Sequence, residues 1–348
     1  MHPMKRAMKL CVIGKGEAVM TDVPVPAPGR REVLIEMRAC GICGTDFEKL
    51  AGNYSSTVLG HEAVGIVEEA GRDIDAVSSG DRVFPHHHVP CYNCHYCRSG
   101  SETMCPEFSK ANLRPGGLAE YFILPEWNIS HGGLFVLPSA VSFRTGTLIE
   151  PLACVLRGLR KLAVGKDSTV AVVGSGPVGM LQLFALKALG VRNVVAMDVS
   201  EERSRFARTL GAVSSFTSAS GLKEACLSLS DGRGADASIV ATGHPAATEA
   251  GIASLRKGGI MLQFGLPHPG TALVHDTSDL FRKEIQILNT YSGVERDVSD
   301  AIEMLTSHGA KAEDIISHSF RLERAPDAFR TASDAGNVRK VIVENGKA

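Results

Sequence analysis

Two kinds of hydrophobic pattern divide the chain. In the first half, apolar residues come in short groups separated by glycine and proline. Lys9-Leu10-Cys11-Val12-Ile13 runs into a Gly14-Lys15-Gly16 turn, and Glu32 to Met37 alternates polar and apolar side chains as a half-buried strand does. Val64 to Glu69 and Asp81 to Phe84 predict further strands. Pro24, Pro26, Pro28 and Gly29 predict an extended connection between the first two. Arg114-Pro115-Gly116-Gly117 reads as a turn that returns into a strand through Phe122. This half predicts an irregular β domain, a barrel.

From Leu148 to about Gly165 the pattern is that of an apolar helix, and after it the character changes. Thr169 to Val173 is a continuous apolar run, as expected of a parallel strand buried on both faces. Gly174-Ser175-Gly176-Pro177-Val178-Gly179 follows directly, Met180 to Leu189 reads as a helix, and Val194 to Met197 is a second strand closed by Asp198. Strand–turn alternation continues through Ala237 to Ala241 and Ile260 to Gly265. The tail from about Glu284 carries a strand, a helix near 298–307 and a last strand, Arg339 to Val343. Two domains are predicted: residues 1–155, completed by 290–348, and a doubly wound α/β domain over 156–289.

The Gly174-x-Gly176-x-x-Gly179 run lies between a strand and a helix, with an acid at the next strand end. That is the context a dinucleotide fingerprint requires. Gly174, Gly176 and Gly179, with Pro177 and Val178 between them, let a pyrophosphate approach the backbone at a helix N-terminus. A carboxylate at Asp198 accepts from a ribose 2′-OH and repels a 2′-phosphate, so NAD is favoured over NADP. Arg203 is placed to stack on adenine, or else is a solvated helix residue. Gly243 and Gly265, at strand ends, would let the nicotinamide end lie close to the backbone.

Composition narrows the partners. The formal net charge of −1 on 348 residues provides no basic surface for nucleic acid or anionic membrane. No apolar run approaches the length of a membrane span. A cytoplasmic protein is expected, in which the nine cysteines are thiols or metal ligands. Cys11, Cys40, Cys154 and Cys226 are expected to be buried core thiols.

The remaining cysteines are patterned. Cys91, Cys94, Cys97 and Cys105 fall in one Gly/Pro-flanked segment. Four thiolates at Cys-x₂-Cys steps suit a closed tetrahedral zinc site, which is structural because no position is open; the alternative is a disulfide cluster. Gly41-Ile42-Cys43-Gly44-Thr45-Asp46 and Gly60-His61-Glu62 together supply a thiolate, an imidazole and a carboxylate, the ligand set of an open zinc site. Asp46 is a candidate to orient His61. Glu150 sits in apolar company and wants a cation or strong donors, for which a zinc ion or its water is the candidate.

In this order, the motifs resemble those of the zinc-dependent medium-chain dehydrogenases/reductases over essentially the whole chain. The nearest branch is that of the polyol (sorbitol or iditol) and threonine dehydrogenases. The resemblance implies a GroES-like catalytic barrel and a Rossmann domain, with two zinc ions per chain and NAD. It implies a catalytic zinc held by Cys43, His61 and Glu62, with Glu150 as a ligand or holding its water. Thr45 would take the substrate proton. The implied reaction is hydride transfer between a secondary alcohol, or its ketone, and the nicotinamide, in a homodimer or homotetramer. Relatives commonly carry a His three residues after the Thr; here that position is Glu48. Threonine dehydrogenases place a His near His88, which makes His88 a substrate candidate within the His86-His87-His88 run. Arg114 is a candidate for a substrate phosphate or carboxylate, or else a surface arginine. A hydroxy amino acid as substrate, an enoyl-thioester reductase and a non-catalytic NAD-binding sensor are the alternatives.

Overall fold

The computed structural model describes residues 6–52, 59–334, 336 and 338–346. The chain forms two compact units, residues 1–150 with 294–348, and residues 151–293. The sequence-based boundaries fall at 155/156 and 289/290, a few residues away on either side.

The first unit is built on a seven-stranded sheet around the strand Val33–Gly41. One edge of that strand pairs antiparallel with Glu62–Ala70 along its whole length. The other edge is shared: Tyr121–Leu124 takes residues 33–36, and the C-terminal strand Lys340–Glu344 takes residues 39–41. Val33, Leu34, Ile35 and Met37 are all buried and Glu36 is half-buried, so the strand is more deeply covered than the half-buried alternation predicted for this stretch. Its core joins them to Phe122, Leu118 and Leu124 and to the C-terminal residues Phe329 and Val343. Residues 294–348 thus complete the barrel.

The Pro24–Gly29 stretch has no regular structure past Pro24, as predicted, but an unpredicted strand precedes it: Glu17–Pro24 pairs with Ala7–Gly14 in a two-stranded ribbon whose first strand buries Met8, Leu10 and Cys11. Pro24 is tolerated at its end because a ribbon edge needs no N–H there.

The second unit is a six-stranded parallel sheet. In chain order its strands are arranged third, second, first, fourth, fifth, sixth, from Ser214–Phe216 at one edge to Gln286–Asn289 at the other. This is the doubly wound dinucleotide-binding topology, whose ligands sit at the point where strand order reverses. Thr169–Val173 is central and buried throughout, as its unbroken apolar run requires. The helix Pro177–Ala188 follows it, with Gly176 as N-cap and Pro177 in the first turn, where its missing N–H costs nothing. Among the described residues, no helix is long and apolar enough to cross a membrane.

Candidate active site

Antiparallel pairing builds the site in the first unit. Gly41 lies opposite Glu62, so the two motifs that follow and precede these strand ends meet. Cys43 is the N-cap of the short helix Gly44–Leu50, and its N–H donates to Asp46 Oδ2 at 3.1 Å. Asp46 is fully buried and ties the motifs together: Oδ1 accepts from the Gly60 N–H at 3.3 Å and lies 3.4 Å from His61 Nδ1. Burial opposes charge on Asp46, but His61 and Lys49 outweigh it and hold the carboxyl below its usual range.

His61 Nδ1 faces Asp46, so Nε2 is left for the other side of the ring. There Thr45 Oγ1 lies 3.3 Å from Nε2 and donates to Cys43 Sγ at 3.2 Å. Ligand atoms of Cys43, His61 and Glu62 all lie within 4.8 Å of one another. A thiol from one backbone segment and an adjacent imidazole and carboxyl from a second suit zinc, whose three-ligand sites leave a fourth position for substrate. Without a metal, burial lowers His61 basicity, but Asp46 and Cys43 raise it further, to well above the ordinary imidazole range. Concentrated negative charge around a buried imidazole is the field of a cation site.

Glu150 stands in the first turn of the helix Ile149–Leu162 and is buried. It is outside the three-residue cluster but acts electrostatically on both Glu62 and Lys340. Lys340 was not foreseen. It is 3% exposed, and its ammonium forms an ion pair with Glu62 Oε2 and donates to the Ile42 carbonyl at 2.9 Å. A lysine amid Val341, Ile342 and Val343 is the sequence signal that could have flagged it, since a buried charge demands a partner.

In the histidine run, His87 is the residue in ring contact with the cluster: its ring centroid is 5.0 Å from that of His61. His88 lies between His87 and Phe108, at 4.0 and 5.4 Å between centroids, with Nε2 3.4 Å from Asn112 Nδ2. Burial first, and then the neighbouring imidazoles, push His87 well below the usual range and His88 down to about 3, so both are neutral donors or acceptors at physiological pH. His86 Nδ1 lies 2.6 Å from Glu295 Oε1, and Tyr92 OH donates to the same carboxylate. Glu48 is on the helix Gly44–Leu50, half-buried and outside the ligand cluster. Arg114 pairs with Glu32 at the surface, so its charge is already met there.

The Cys91–Cys105 lobe forms a second cluster. Sulfur separations are 3.5 Å for Cys91–Cys105, 3.6 Å for Cys94–Cys97 and 4.0 Å for Cys91–Cys97. Four sulfurs at ~2.3 Å from zinc sit about 3.8 Å apart along a tetrahedron edge, and the observed separations bracket that value. The Asn93 and Cys94 N–H groups both donate to Cys91 Sγ. Chiefly through the Asn93 amide, and against its own desolvation, the Cys91 thiol is lowered to about 6, while burial and its three thiol neighbours push Cys97 up to about 12. Of the other cysteines, Cys11, Cys40 and Cys226 are buried as expected, but Cys154 is partly exposed.

In the second unit, Gly174 has φ +92° and a Cβ on Gly179 would strike the Gly174 carbonyl. The loop therefore depends on both glycines. Asp198 Oδ2 accepts from the Ser175 N–H at 2.7 Å and Oδ1 from the Ser200 N–H at 2.9 Å, which fixes the carboxylate beside the loop. Arg203 is half-buried in the first turn of the helix Glu201–Thr209, capped by Ser200. Gly243 and Gly265 have a packing reason of their own: a Cβ on either would collide with backbone of the opposite strand end, at Leu266 and Thr242 respectively.

A thiol–imidazole–carboxyl metal site on a β unit and a dinucleotide loop on a doubly wound unit define a zinc- and nicotinamide-dependent alcohol oxidoreductase. Residues 29–133 match the alcohol dehydrogenase GroES-like domain, and residues 177–307 the zinc-binding dehydrogenase domain. The chain is 33% identical to the sorbitol dehydrogenase of Macaca fascicularis, covering 93% of this chain and 92% of that one. It is 27% identical to the D-altritol 5-dehydrogenase of Agrobacterium fabrum, over 94% and 96% of the two chains. A structure described as a zinc-binding dehydrogenase of Sinorhizobium meliloti, bound to NADP, superposes with a TM-score of 0.85 at 26% identity, over 98% of this chain and all of that one. The chain belongs to the zinc-dependent medium-chain dehydrogenase/reductase family, in its polyol dehydrogenase branch.

Proposed function

We propose that the chain oxidises a secondary alcohol of a polyol, sugar or sugar derivative with NAD⁺, and reduces the ketone in reverse, at the Cys43–His61–Glu62 cluster. The observation that carries this reading is the convergence of those three ligand atoms within 4.8 Å beside a buried second carboxylate, Glu150. When bound, zinc supplies a Lewis acid that lowers the pKa of an alcohol hydroxyl. The residues do the rest. Cys43 Sγ, His61 Nε2 and the Glu62 carboxylate would hold the metal, with the Asp46 carboxylate 3.4 Å from Nδ1 on the opposite edge of the imidazole to leave Nε2 for it. Thr45 Oγ1, between Cys43 Sγ and His61 Nε2, is placed to take the substrate proton. Onward transfer lacks the usual histidine, so Glu48 or solvent receives that proton. His87, with its ring 5.0 Å from that of His61, is a further polar neighbour of the cluster. The Gly174–Gly179 loop and Asp198 would hold the dinucleotide, which would supply the hydride acceptor.

Asp198 supports NAD over NADP, since both its oxygens are pinned and the carboxylate cannot swing away from a 2′-phosphate. The relatives named for sorbitol and altritol support a polyol over a hydroxy amino acid. The test is a coupled screen of polyols, inositols, sugar phosphates and 3-hydroxy amino acids with NAD⁺ and NADP⁺ in parallel. A polyol with NAD⁺ is expected to give the highest kcat/KM, and Asp198→Ala to narrow the NAD⁺ preference by about tenfold or more, the loss of one charged hydrogen bond. A simple primary alcohol as the best substrate would refute the reading. Metal analysis should find two zinc ions per chain, one of them removed by mild chelation together with activity.

The cytoplasm suits a protein whose seven clustered metal-ligand residues include five free thiols. A homodimer or homotetramer is supported by the strand Gln286–Asn289, which among the described residues has a partner on one edge only, and by the exposed Phe281 and Val274, at 84% and 78%. Sedimentation as a 37.0 kDa species at micromolar concentration would exclude it.

A further inference from the structure

One charged residue stands beside the catalytic cluster without belonging to any motif. Lys340 opens the last strand, in which Ile342 lies opposite Gly41, and Gly41 in turn lies opposite Glu62. Side chains two positions apart on a strand share a face, so Lys340 and Glu62 approach each other across the one position in the middle strand that has no side chain. A Cβ on Gly41 would collide with the Glu62 carboxylate and sit 2.9 Å from Lys340 Cε. The glycine thereby makes room for the pair.

Lys340 forms an ion pair with Glu62 Oε2 and donates to the Ile42 carbonyl, one residue before Cys43. Both Glu62 oxygens are buried and neither accepts a hydrogen bond among the described residues, so the carboxylate has capacity for a metal as well as for the ammonium. Burial works against the ammonium, but Glu62, Cys43 and Glu150 hold it above the ordinary lysine range. A buried ion pair is a poor device for stability alone, because two well-packed apolar residues do as well or better. Its value here is electrostatic. Cys43, Glu62 and Glu150 bring three negative charges to a divalent ion; Lys340 brings the total to neutral.

We propose that Lys340 is a positioning residue that holds Glu62 in competition with zinc, so that the carboxylate is a shared, weakened ligand and the metal keeps more of its pull on the substrate oxygen. This rests on the assignment of Cys43, His61 and Glu62 as the catalytic zinc site. Less negative charge at the metal means a stronger Lewis acid. The cost is looser metal binding.

The experiment measures the zinc Kd of the catalytic site by competition with a chromophoric chelator, on the full chain with its structural zinc in place, alongside kcat. Lys340→Met is expected to bind zinc about tenfold more tightly or better, the size of effect typical of groups that hold a metal ligand, while kcat falls. Lys340→Arg should restore both. In a Glu62→Gln background, Lys340→Met should leave the zinc Kd within about twofold, because no shared ligand remains. A purely structural lysine gives the opposite result, with zinc binding unchanged or weakened, and that overturns the proposal, as does an equal shift in both backgrounds. Should Lys340→Met not fold, Lys340→Gln carries the same outcomes, since it keeps a donor for Ile42 and removes the charge. Should neither fold, Glu62→Gln alone decides: a shared ligand costs less than about tenfold in zinc affinity, a full one about 100-fold or more. Failure of the site assignment is separate: it would appear as wild-type protein with no second, chelator-removable zinc.

Discussion

Cys43→Ala will abolish turnover and leave the fold standing. The backbone of Cys43 is held by its N–H to Asp46, a bond that alanine keeps. The side chain is half-buried and its partner is the Thr45 hydroxyl, which can turn to His61 Nε2 instead. Nothing in the packing is lost beyond one sulfur. The site loses one of the three groups that converge within 4.8 Å, and the only soft one. Two remaining protein ligands do not hold catalytic zinc. A metal that stabilises the developing alkoxide by several kcal/mol is worth about 10³-fold or more in rate. Purified Cys43→Ala should therefore carry one zinc per chain instead of two, show a kcat reduced by about that factor, and melt within a few degrees of wild type. A variant that keeps both metal ions and most of its activity would remove Cys43 from the site.

How much of this site could be read from the sequence depends on how local each feature is. The dinucleotide loop was legible because strand, glycines, helix and Asp198 are consecutive, and the backbone conformations they demand are set within a few residues. The four-cysteine lobe was legible for the same reason. Lys340 was not: it reaches Ile42 across 298 positions of chain, and only the register of three strands, none of it encoded in a short motif, puts it on Glu62. In the histidine run, the rings of His87 and His88 lie 4.0 Å apart at a bend, and tertiary packing rather than any local pattern brings His87 to within 5.0 Å of His61. In the helix Ile149–Leu162, the phase of the apolar face leaves one predicted core thiol, Cys154, partly exposed. The ribbon strand Glu17–Pro24 escaped because its partner supports it from one side only and its own side chains are largely solvent-facing. Prolines after it read as a connection.

Cys94→Ala should give the reverse of Cys43→Ala: stability lost first, chemistry afterwards. The lobe has little to hold it without metal. Its only regular structure is a four-residue helix and a short 3₁₀ turn, and its apolar contacts are Phe108 and Val294 packed on the cysteines themselves. Tyr92, Tyr96 and Met104 point largely outward, at 44%, 46% and 50% exposure. Four thiols drawn to 3.5–4.0 Å separations in such a segment owe that spacing to the ion they would bind, and for a site of this kind metal binding energy is folding energy. The barrel core lies elsewhere, around Val33–Gly41, so the rest of the unit survives. What the lobe does hold is Glu295, which takes the Tyr92 hydroxyl and His86 Nδ1 together. When the lobe opens, Glu295 keeps only His86, and the N-terminus of the helix Glu295–Glu313 loosens from the histidine run beside the site. A loss of roughly 3 kcal/mol lowers Tm by about 6–12 °C in a domain of this size. Thermal melting should show that drop, limited proteolysis should cut first within residues 91–105, and freshly prepared protein should retain one zinc and measurable turnover at 25 °C. An unchanged melting temperature would mean that the four cysteines hold no structural ion, whatever their spacing.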